Sequence, residues 1–420
     1  MSDMKIYTPE GVQDILGNGC YGKRKIESKI LNLFASFGYE EIQTPIIEFY
    51  DTFAVEKDMM PQEKMFKFVD QQGRLLVLRP DMTIPVARVA ATKLKQEQVQ
   101  RFCYVGNAFR YNEFGGGKQK EFTQTGVELL GDKSPQSDAE VIVLAIQALL
   151  QSGLNEFQID IGQTDFFKGI TEETGLKPLQ EENLRVCIDT KDTIGIKNFV
   201  EGSDMSSDLK QVILNLPELF GSVDVIDHAY EFRLSEKSKR ALRNLREVLD
   251  IINGYGLSRY VSVDLGMVPA LNYYTGVIFR GFTYGIGFPV LSGGRYDNLI
   301  EKFGYAKPAT GFSVGVNMLM NALLRQYGSN FLEKPKTDML FYTDRNCEQK
   351  GYDLTGYCRS KGYTVEVLFN LDDLDKMDLT KYKMLVKMEQ ENIIVTDVKN
   401  NEMIGFSKEQ FIRTYSGRVS

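Results

Sequence analysis

Residues 109–131, FRYNEFGGGKQKEFTQTGVELLG, constrain the fold more than any other stretch. They read as two strands joined by a Gly-rich, basic loop, since a strictly alternating run follows the glycines. From Phe122 to Leu130 the alternation sends Thr123, Thr125, Val127 and Leu129 to one face and Gln124, Gly126 and Glu128 to the other. The first set can pack on a core. The second places Gln124 and Glu128 on the opposite face with Cα atoms about 13 Å apart. Gly126 between them leaves room for a small ligand over the strand. On pattern alone, a solvated sheet face carrying two polar side chains is the favoured reading.

Tyr21 to Phe37 sets Ile26, Ile30, Leu33, Phe34 and Phe37 at helical spacing, with Gly38 as the stop. The following EEIQTPIIEF predicts a strand interrupted by Pro45. Met65–Val69 and Arg74–Leu78 flank DQQG as a hairpin, leading into LRPDMT and a helix beginning near Ile84. Ser137 with Glu140 predicts a capping box before the apolar run Val141–Leu150. Glu156–Ile161 alternates as a strand, residues 165–255 are largely helical in character, and strands resume at Tyr260 and run to the SGGRYD turn near Gly293. A helix to about Tyr327 closes a first domain, 1–327, with residues 165–255 as its helical insertion. Gly328–Thr337, with Pro335, reads as a linker to a small α/β domain at 335–420.

A chain of 420 residues has room for two to three domains. Its composition, 43% apolar and 25% charged, is that of a soluble globular protein. A net charge of −7 argues against a chain whose main task is gripping nucleic acid, because phosphate contacts need clustered Lys and Arg. Five scattered cysteines without a C-x-x-C pair suggest reduced thiols. His228 is the single histidine and fits a surface position; no metal site is expected. The N-terminal MSDMKIYTPEGVQDI has neither a basic nor an apolar leader region, and Ala139–Leu150 is too short to span a bilayer, so a cytoplasmic, soluble chain is expected.

Several of these segments resemble class II aminoacyl-tRNA synthetases, the histidyl branch in particular. The helix and Pro-containing strand at Tyr21–Phe49 resemble motif 1, the dimer-forming element, and Phe109–Gly131 resembles motif 2. The resemblance implies that Gln124 and Glu128 hold an amino acid's ammonium and imidazole. It puts Asp81 where the synthetases have an ammonium-contacting Glu, one methylene longer, with Thr83 at the matching spacing. Tyr273 and Tyr274 match a Tyr pair whose second member lines the imidazole pocket; adjacent residues of a strand face opposite ways, so one is core. Arg110 matches the motif 2 arginine that stabilises the α-phosphate, and Lys118 and Lys120 of the loop are further anion-binding candidates, against the plainer reading of a hairpin turn with solubilising lysines. Asn112 and Glu113 replace a Glu and an Arg usual in the synthetases. Gly293-Gly294-Arg295-Tyr296-Asp297 matches their GGRYD turn.

Two departures matter. The synthetase pattern V-R-G-L-D-Y-Y has Pro269 at its arginine, and the motif 3 pattern G-F-x-x-G-x-E-R-L has Met318 at its arginine. Neither residue carries a cationic donor. The pattern as a whole is similar to the synthetase paralogues of histidine biosynthesis, the regulatory subunits of ATP phosphoribosyltransferase. That resemblance implies an α+β fold, a class II synthetase-like antiparallel sheet with flanking helices, plus a small C-terminal α/β domain resembling a reduced anticodon-binding domain. It implies a non-catalytic chain without a cofactor. Its partners would be a second copy of itself, the short-form catalytic subunit in a hetero-octamer, and histidine as effector, with no membrane and no tRNA. Residues 331–420 hold 14 Lys and Arg against 15 Asp and Glu, so no basic surplus points to tRNA. A working histidyl-tRNA synthetase, or a synthetase-like module acting on RNA or another protein, remain the alternatives.

Overall fold

The computed structural model of the chain describes residues 7–55, 61–94, 98–111, 119–268, 274–343, 347–369, 371–390 and 392–417. The chain divides into two units, Met1–Glu333 and Lys334–Ser420.

In the first unit, α1 (Gly17–Ser36) buries Ile26, Ile30, Leu33 and Phe34 along one stripe. The interrupted strand that follows becomes β1 (Glu40–Glu41) and β2 (Ile47–Phe49), split around Pro45, which has no amide hydrogen for a ladder. A short helix α2 (Tyr50–Ala54) precedes the hairpin β3 (Lys67–Val69) and β4 (Leu75–Leu78), and these pair with β2 as a small sheet ordered β2-β4-β3. Helix α3 (Thr83–Lys93) leads into the long hairpin β5 (Gln100–Phe109) and β6 (Glu121–Leu130).

Helix α4 (Pro135–Ser152) begins three residues earlier than the Ser137–Glu140 spacing predicts. Pro135 fits the first helical turn and Ser134 takes the N-cap position. Glu140 is used elsewhere: its carboxylate accepts from Arg101 at 2.8 and 2.9 Å and from the Tyr39 hydroxyl at 2.9 Å. The run Val141–Ile146, with Ala148 and Leu149, is fully buried, packed against α1 and the sheet, while Gln136, Glu140, Gln147 and Gln151 form the more exposed stripe of α4.

The main sheet is completed by β7 (Phe157–Gln163), β8 (Phe220–Gly221), β9 (Val261–Asp264), β10 (Val277–Thr283), β11 (Leu291–Arg295) and β12 (Ala309–Gly315). Its nine strands run β1-β5-β6-β12-β11-β10-β7-β9-β8. All pairs are antiparallel except β1 with β5 and β7 with β9. Between β7 and β9 come α5 (Thr164–Thr174), α6 (Pro178–Asp189), α7 (Thr193–Glu201), α8 (Ser207–Asn215), α9 (Val225–Ala229) and α10 (Glu236–Gly254). This region is not wholly helical, because β8 adds an edge strand to β9. α10 buries Leu242, Leu245, Val248, Leu249 and Ile252 and packs on α4 and α5. The Tyr274–Gly276 stretch is not a strand as read from sequence; β10 starts at Val277. α11 (Val316–Tyr327) follows β12.

The second unit holds β13 (Thr337–Thr343), α12 (Glu348–Ser360), β14 (Val365–Leu368), β15 (Tyr382–Glu389), β16 (Asn392–Asp397), β17 (Met403–Ser407) and α13 (Lys408–Thr414). Its sheet runs β14-β13-β15-β16-β17, parallel at β14–β13–β15 and antiparallel beyond.

Arg295 fastens the base of the main sheet. Its buried guanidinium lies 2.9 Å from the buried Asp138 carboxylate and 3.1 Å from Asp297, and it donates to the Ser137 hydroxyl at 2.8 Å and the Asp132 carbonyl at 2.9 Å. One side chain thereby ties β11 to the first turn of α4. Arg295→Met should lower stability by about 3–5 kcal/mol, because Asp138 is left as an uncompensated buried charge. Urea unfolding measures this, and adding Asp138→Asn should recover part of the loss. An unchanged midpoint would refute the network's role.

Candidate functional site

The alternating strand β6 is buried on both faces from Thr123 onward, so its polar face is not solvated. Glu128 is only 1% exposed. It lies opposite Phe102 on β5 and Gly311 on β12. A Cβ built on Gly311 would stand 1.9 Å from Glu128 Oε2, so only glycine there admits the carboxyl group. The Tyr104 hydroxyl donates to Oε1 at 3.2 Å, the Tyr296 hydroxyl donates to Oε2, and the Thr83 hydroxyl also bonds the group.

Burial outweighs these donors, and the Asp81 charge adds to it, so the Glu128 carboxyl is pushed up to about 8. At neutral pH it holds its proton. An unfolded chain would release that proton near 4.5, so this group costs stability as pH rises from there towards 8 and the cost levels off above.

Glu128 borders a cavity of about 150 Å³ also lined by Asp81, Thr83, Arg110, Gln124 and Tyr274. Gln124 is 7% exposed, and its Oε1 is buried without a hydrogen-bond partner among the described residues. A buried acceptor left in that condition is costly unless a donor reaches it. Asp81 uses Oδ1 to cap α3, accepting from the Ile84 amide at 3.1 Å. Its carboxyl is raised by burial, opposed by that amide and by the Arg110 charge. Room over Gly126 is smaller than the sequence suggests: a Cβ there would meet the Phe312 carbonyl at 2.1 Å and the Tyr104 hydroxyl at 2.8 Å. The space near Gly126 serves the Tyr104 side chain, and the cavity lies beside it.

A larger cavity, about 1280 Å³, shares Arg110, Gln124, Ser292 and Ser313 with the first. Its wall includes Phe122, Asn317, Met318 and Arg325. The Arg110 guanidinium lies over the Phe122 ring at 4.7 Å. Asn317 accepts from the Thr123 amide at 2.9 Å, and Met318 places a thioether in the wall. Lys120 lines neither cavity; its ammonium sits over the Tyr111 ring at 5.3 Å. Lys118, Tyr273 and Pro269 lie outside the described residues.

Sequence reasoning missed Tyr104, and it quoted Tyr296 only as part of the GGRYD turn. Both are tied to Glu128 by register across strands: Tyr104 pairs with Gly126, and Tyr296 directly follows β11. His228 is exposed on α9. Among the described residues no group of three His, Cys, Asp or Glu could hold a metal, and no helix is long and apolar enough to cross a membrane.

With this geometry in view, the likenesses to known proteins are informative. Residues 11–319 match the family model described as Histidyl-tRNA synthetase. An ATP phosphoribosyltransferase regulatory subunit of Acetivibrio thermocellus is 56% identical over 89% of this chain and 90% of its own length. One from Ruminiclostridium cellulolyticum is 47% identical over 96% of this chain and 97% of its own. The solved Bacillus halodurans structure named ATP phosphoribosyltransferase regulatory subunit/histidyl-tRNA synthetase superposes with a TM-score of 0.83 at 32% identity, covering 92% of this chain and 99% of that one. A Nostoc histidyl-tRNA synthetase shares the fold, with a TM-score of 0.79 at 20% identity over 98% and 99% of the two chains. The chain therefore belongs to the ATP phosphoribosyltransferase regulatory subunits, within the histidyl-tRNA synthetase family and with its class II fold.

Proposed function

We propose that this chain is the non-catalytic partner of a short-form ATP phosphoribosyltransferase catalytic subunit, required for its activity and for its feedback by histidine in a cytoplasmic hetero-octamer. The observation that carries this reading is the small cavity where Asp81, Thr83, Gln124, Glu128 and Tyr274 converge beside a larger one walled by Met318. Amino-acid recognition is retained there, while adenylation lacks two of its cations, at Pro269 and Met318. Removing a single preorganised donor from such a transition state costs about 10²–10³ in rate. Arg110 remains at the junction of the cavities, so its role is contact with the ligand's carboxylate or with an anion in the larger space.

The ligand proposed for the small cavity is L-histidine. At about 150 Å³ the space is below the range of drug-sized sites and suits a single small molecule. The vacant Gln124 acceptor suits an ammonium, and Glu128 faces an imidazole as a charge-assisted partner. Because Glu128 is protonated at neutral pH, it can give its proton to a neutral imidazole on binding, so no proton is exchanged with solvent. Below about 6.5 the free imidazole is already charged and Glu128 must shed its proton to water. Above about 8 Glu128 is already ionised and the imidazole must take a proton from water.

Affinity for L-histidine, measured by calorimetry across pH, should therefore peak between about 6.5 and 8 and fall up to tenfold per pH unit on either side. Glu128→Gln should weaken binding by about tenfold or more and flatten the alkaline limb; an unaltered profile refutes the assignment. Mixed with a short-form catalytic subunit, the wild-type chain should raise its activity and confer inhibition by histidine, while Glu128→Gln should keep the activation and lose the inhibition. Histidine-dependent ATP–pyrophosphate exchange at a synthetase's rate would instead establish a working synthetase.

Self-association is proposed through the small sheet. Ile47, Phe49, Phe68, Leu76 and Leu78 share one of its faces by register, and Ile47 and Phe49 are 50% and 48% exposed. An uncovered apolar face next to the motif 1-like helix and strand suits a second copy of the chain. Phe49→Lys combined with Phe68→Glu should convert a dimer to a monomer in analytical ultracentrifugation without loss of helical signal; a persisting dimer places the interface elsewhere.

A further inference from the structure

The stretch Tyr274–Gly276 joins the small cavity to β10, and its backbone is held from two directions. On the sheet side, the Thr275 amide donates to the Arg295 carbonyl at 2.8 Å, and the Asp297 amide donates to the Thr275 hydroxyl at 3.0 Å. On the other side stands α5. The Thr164 amide and hydroxyl both donate to the Gly276 carbonyl, at 3.0 and 3.1 Å, and the Lys168 ammonium donates to the Tyr274 carbonyl at 3.1 Å.

A second cation from the helical insertion acts nearby. Arg185 of α6 donates through Nη1 to the Val268 carbonyl at 3.1 Å. Its Nε and Nη2 are engaged by the Glu182 carboxylate at 2.8 and 2.7 Å, which fixes the direction of the fork. Val268 and Tyr274 are the last described residue before, and the first after, residues 269–273. Both carbonyls bracketing that stretch thus accept from cations of the helical insertion.

Lys168 is half-buried, and burial lowers its ammonium, offset only in part by the Asp165 carboxylate and reinforced by the neighbouring Lys237 charge. A desolvated ammonium on a carbonyl is a strong and directional bond. It also has short reach: a shift of Tyr274 by about 1 Å takes the pair beyond hydrogen-bond distance. Tyr274 is a wall of the small cavity. α5 is in turn fixed to α10, where the Ser238 hydroxyl donates to the Phe166 carbonyl at 2.9 Å.

We propose that Lys168 is a positioning residue for the cavity wall at Tyr274, and that through Lys168 and Arg185 the helical insertion responds to whether the cavity is filled. Only the choice of L-histidine as the filling ligand rests on the function proposed above. A ligand packed against Tyr274 favours one placement of its carbonyl, and that placement favours one seating of α5 and α6. The coupling runs both ways: a partner that reseats the insertion alters the affinity of the cavity by the same factor.

The test is amide hydrogen exchange on the full chain, wild type against Lys168→Met and Lys168→Arg, with and without L-histidine. Methionine keeps the apolar stem and removes the donor. Without ligand, Lys168→Met should exchange about tenfold faster across residues 275–283, a change worth about 1.4 kcal/mol. With L-histidine, wild-type α5 and α6 should gain protection, whereas Lys168→Met should lose that response and bind about 3–10-fold more weakly. Lys168→Arg should restore both, which a merely structural role would not require. Unchanged exchange at 275–283 in ligand-free Lys168→Met overturns the positioning role. Protection of α5 and α6 that persists in that variant overturns the coupling. If wild type fails to bind L-histidine, the coupling falls with the cavity's assignment, and the ligand-free comparison still decides the positioning role.

Discussion

A carboxyl group sealed inside a nine-stranded sheet sets the terms for everything around it. Glu128 can occupy the middle of β6 only because Gly311 on the neighbouring strand has no side chain, and because two tyrosine hydroxyls and a threonine stand within reach. An isolated carboxylate there would cost several kcal/mol, so the site keeps it neutral and surrounds it with donors. The result is a group held in readiness: stable as an acid when alone, and convertible to a carboxylate by any ligand that brings a matching positive charge. Few residues of an ordinary sheet combine full burial with such chemical sensitivity.

Rigidity behind the cavity has a separate origin. Arg295 satisfies two carboxylates, a hydroxyl and a carbonyl, and in doing so locks β11 to α4. The apolar faces of α4 are buried between the sheet and α1 and α10, where the helix cannot shift without opening the core. The floor of the site is therefore fixed by packing and ion pairing, and the wall at Tyr274–Gly276 is held by hydrogen bonds, from Lys168 and Thr164 on one side and from the backbone at Arg295 and Asp297 on the other.

What could be read from the chain follows from the range over which each signal acts. The stripe of α1, the break at Pro45 and the alternation of β6 are local properties, and the elements form where those patterns place them. Gln124 and Glu128 were legible as a pair because they share a face of one strand. Burial of that face was not, since it depends on β5 and β12 closing over it from distant parts of the chain. The bonds of Tyr104 and Tyr296 to Glu128 were not legible for the same reason: nothing in either tyrosine's neighbourhood announces a carboxyl group that register alone brings near. The capping box at Ser137 failed by competition. Ser134 with Pro135 offers an earlier start, and long-range partners, Arg295 for Ser137 and Arg101 for Glu140, claim the side chains that a local rule would have paired.

The two cavities make different demands on the fold. Binding a small amino acid needs shape, one acceptor for its ammonium and one carboxyl for its ring, and these come from the sheet interior, where substitution would disturb the core. Stabilising a phosphoryl transition state needs cations on the walls of a wider, more open space, and such positions tolerate change because no packing depends on their charge. Met318 stands on α11 at the wall of the 1280 Å³ cavity, where a thioether keeps the contact surface without a charge. On the proposed function, recognition is embedded in what holds the fold together, at Gln124 and Glu128 of the sheet interior.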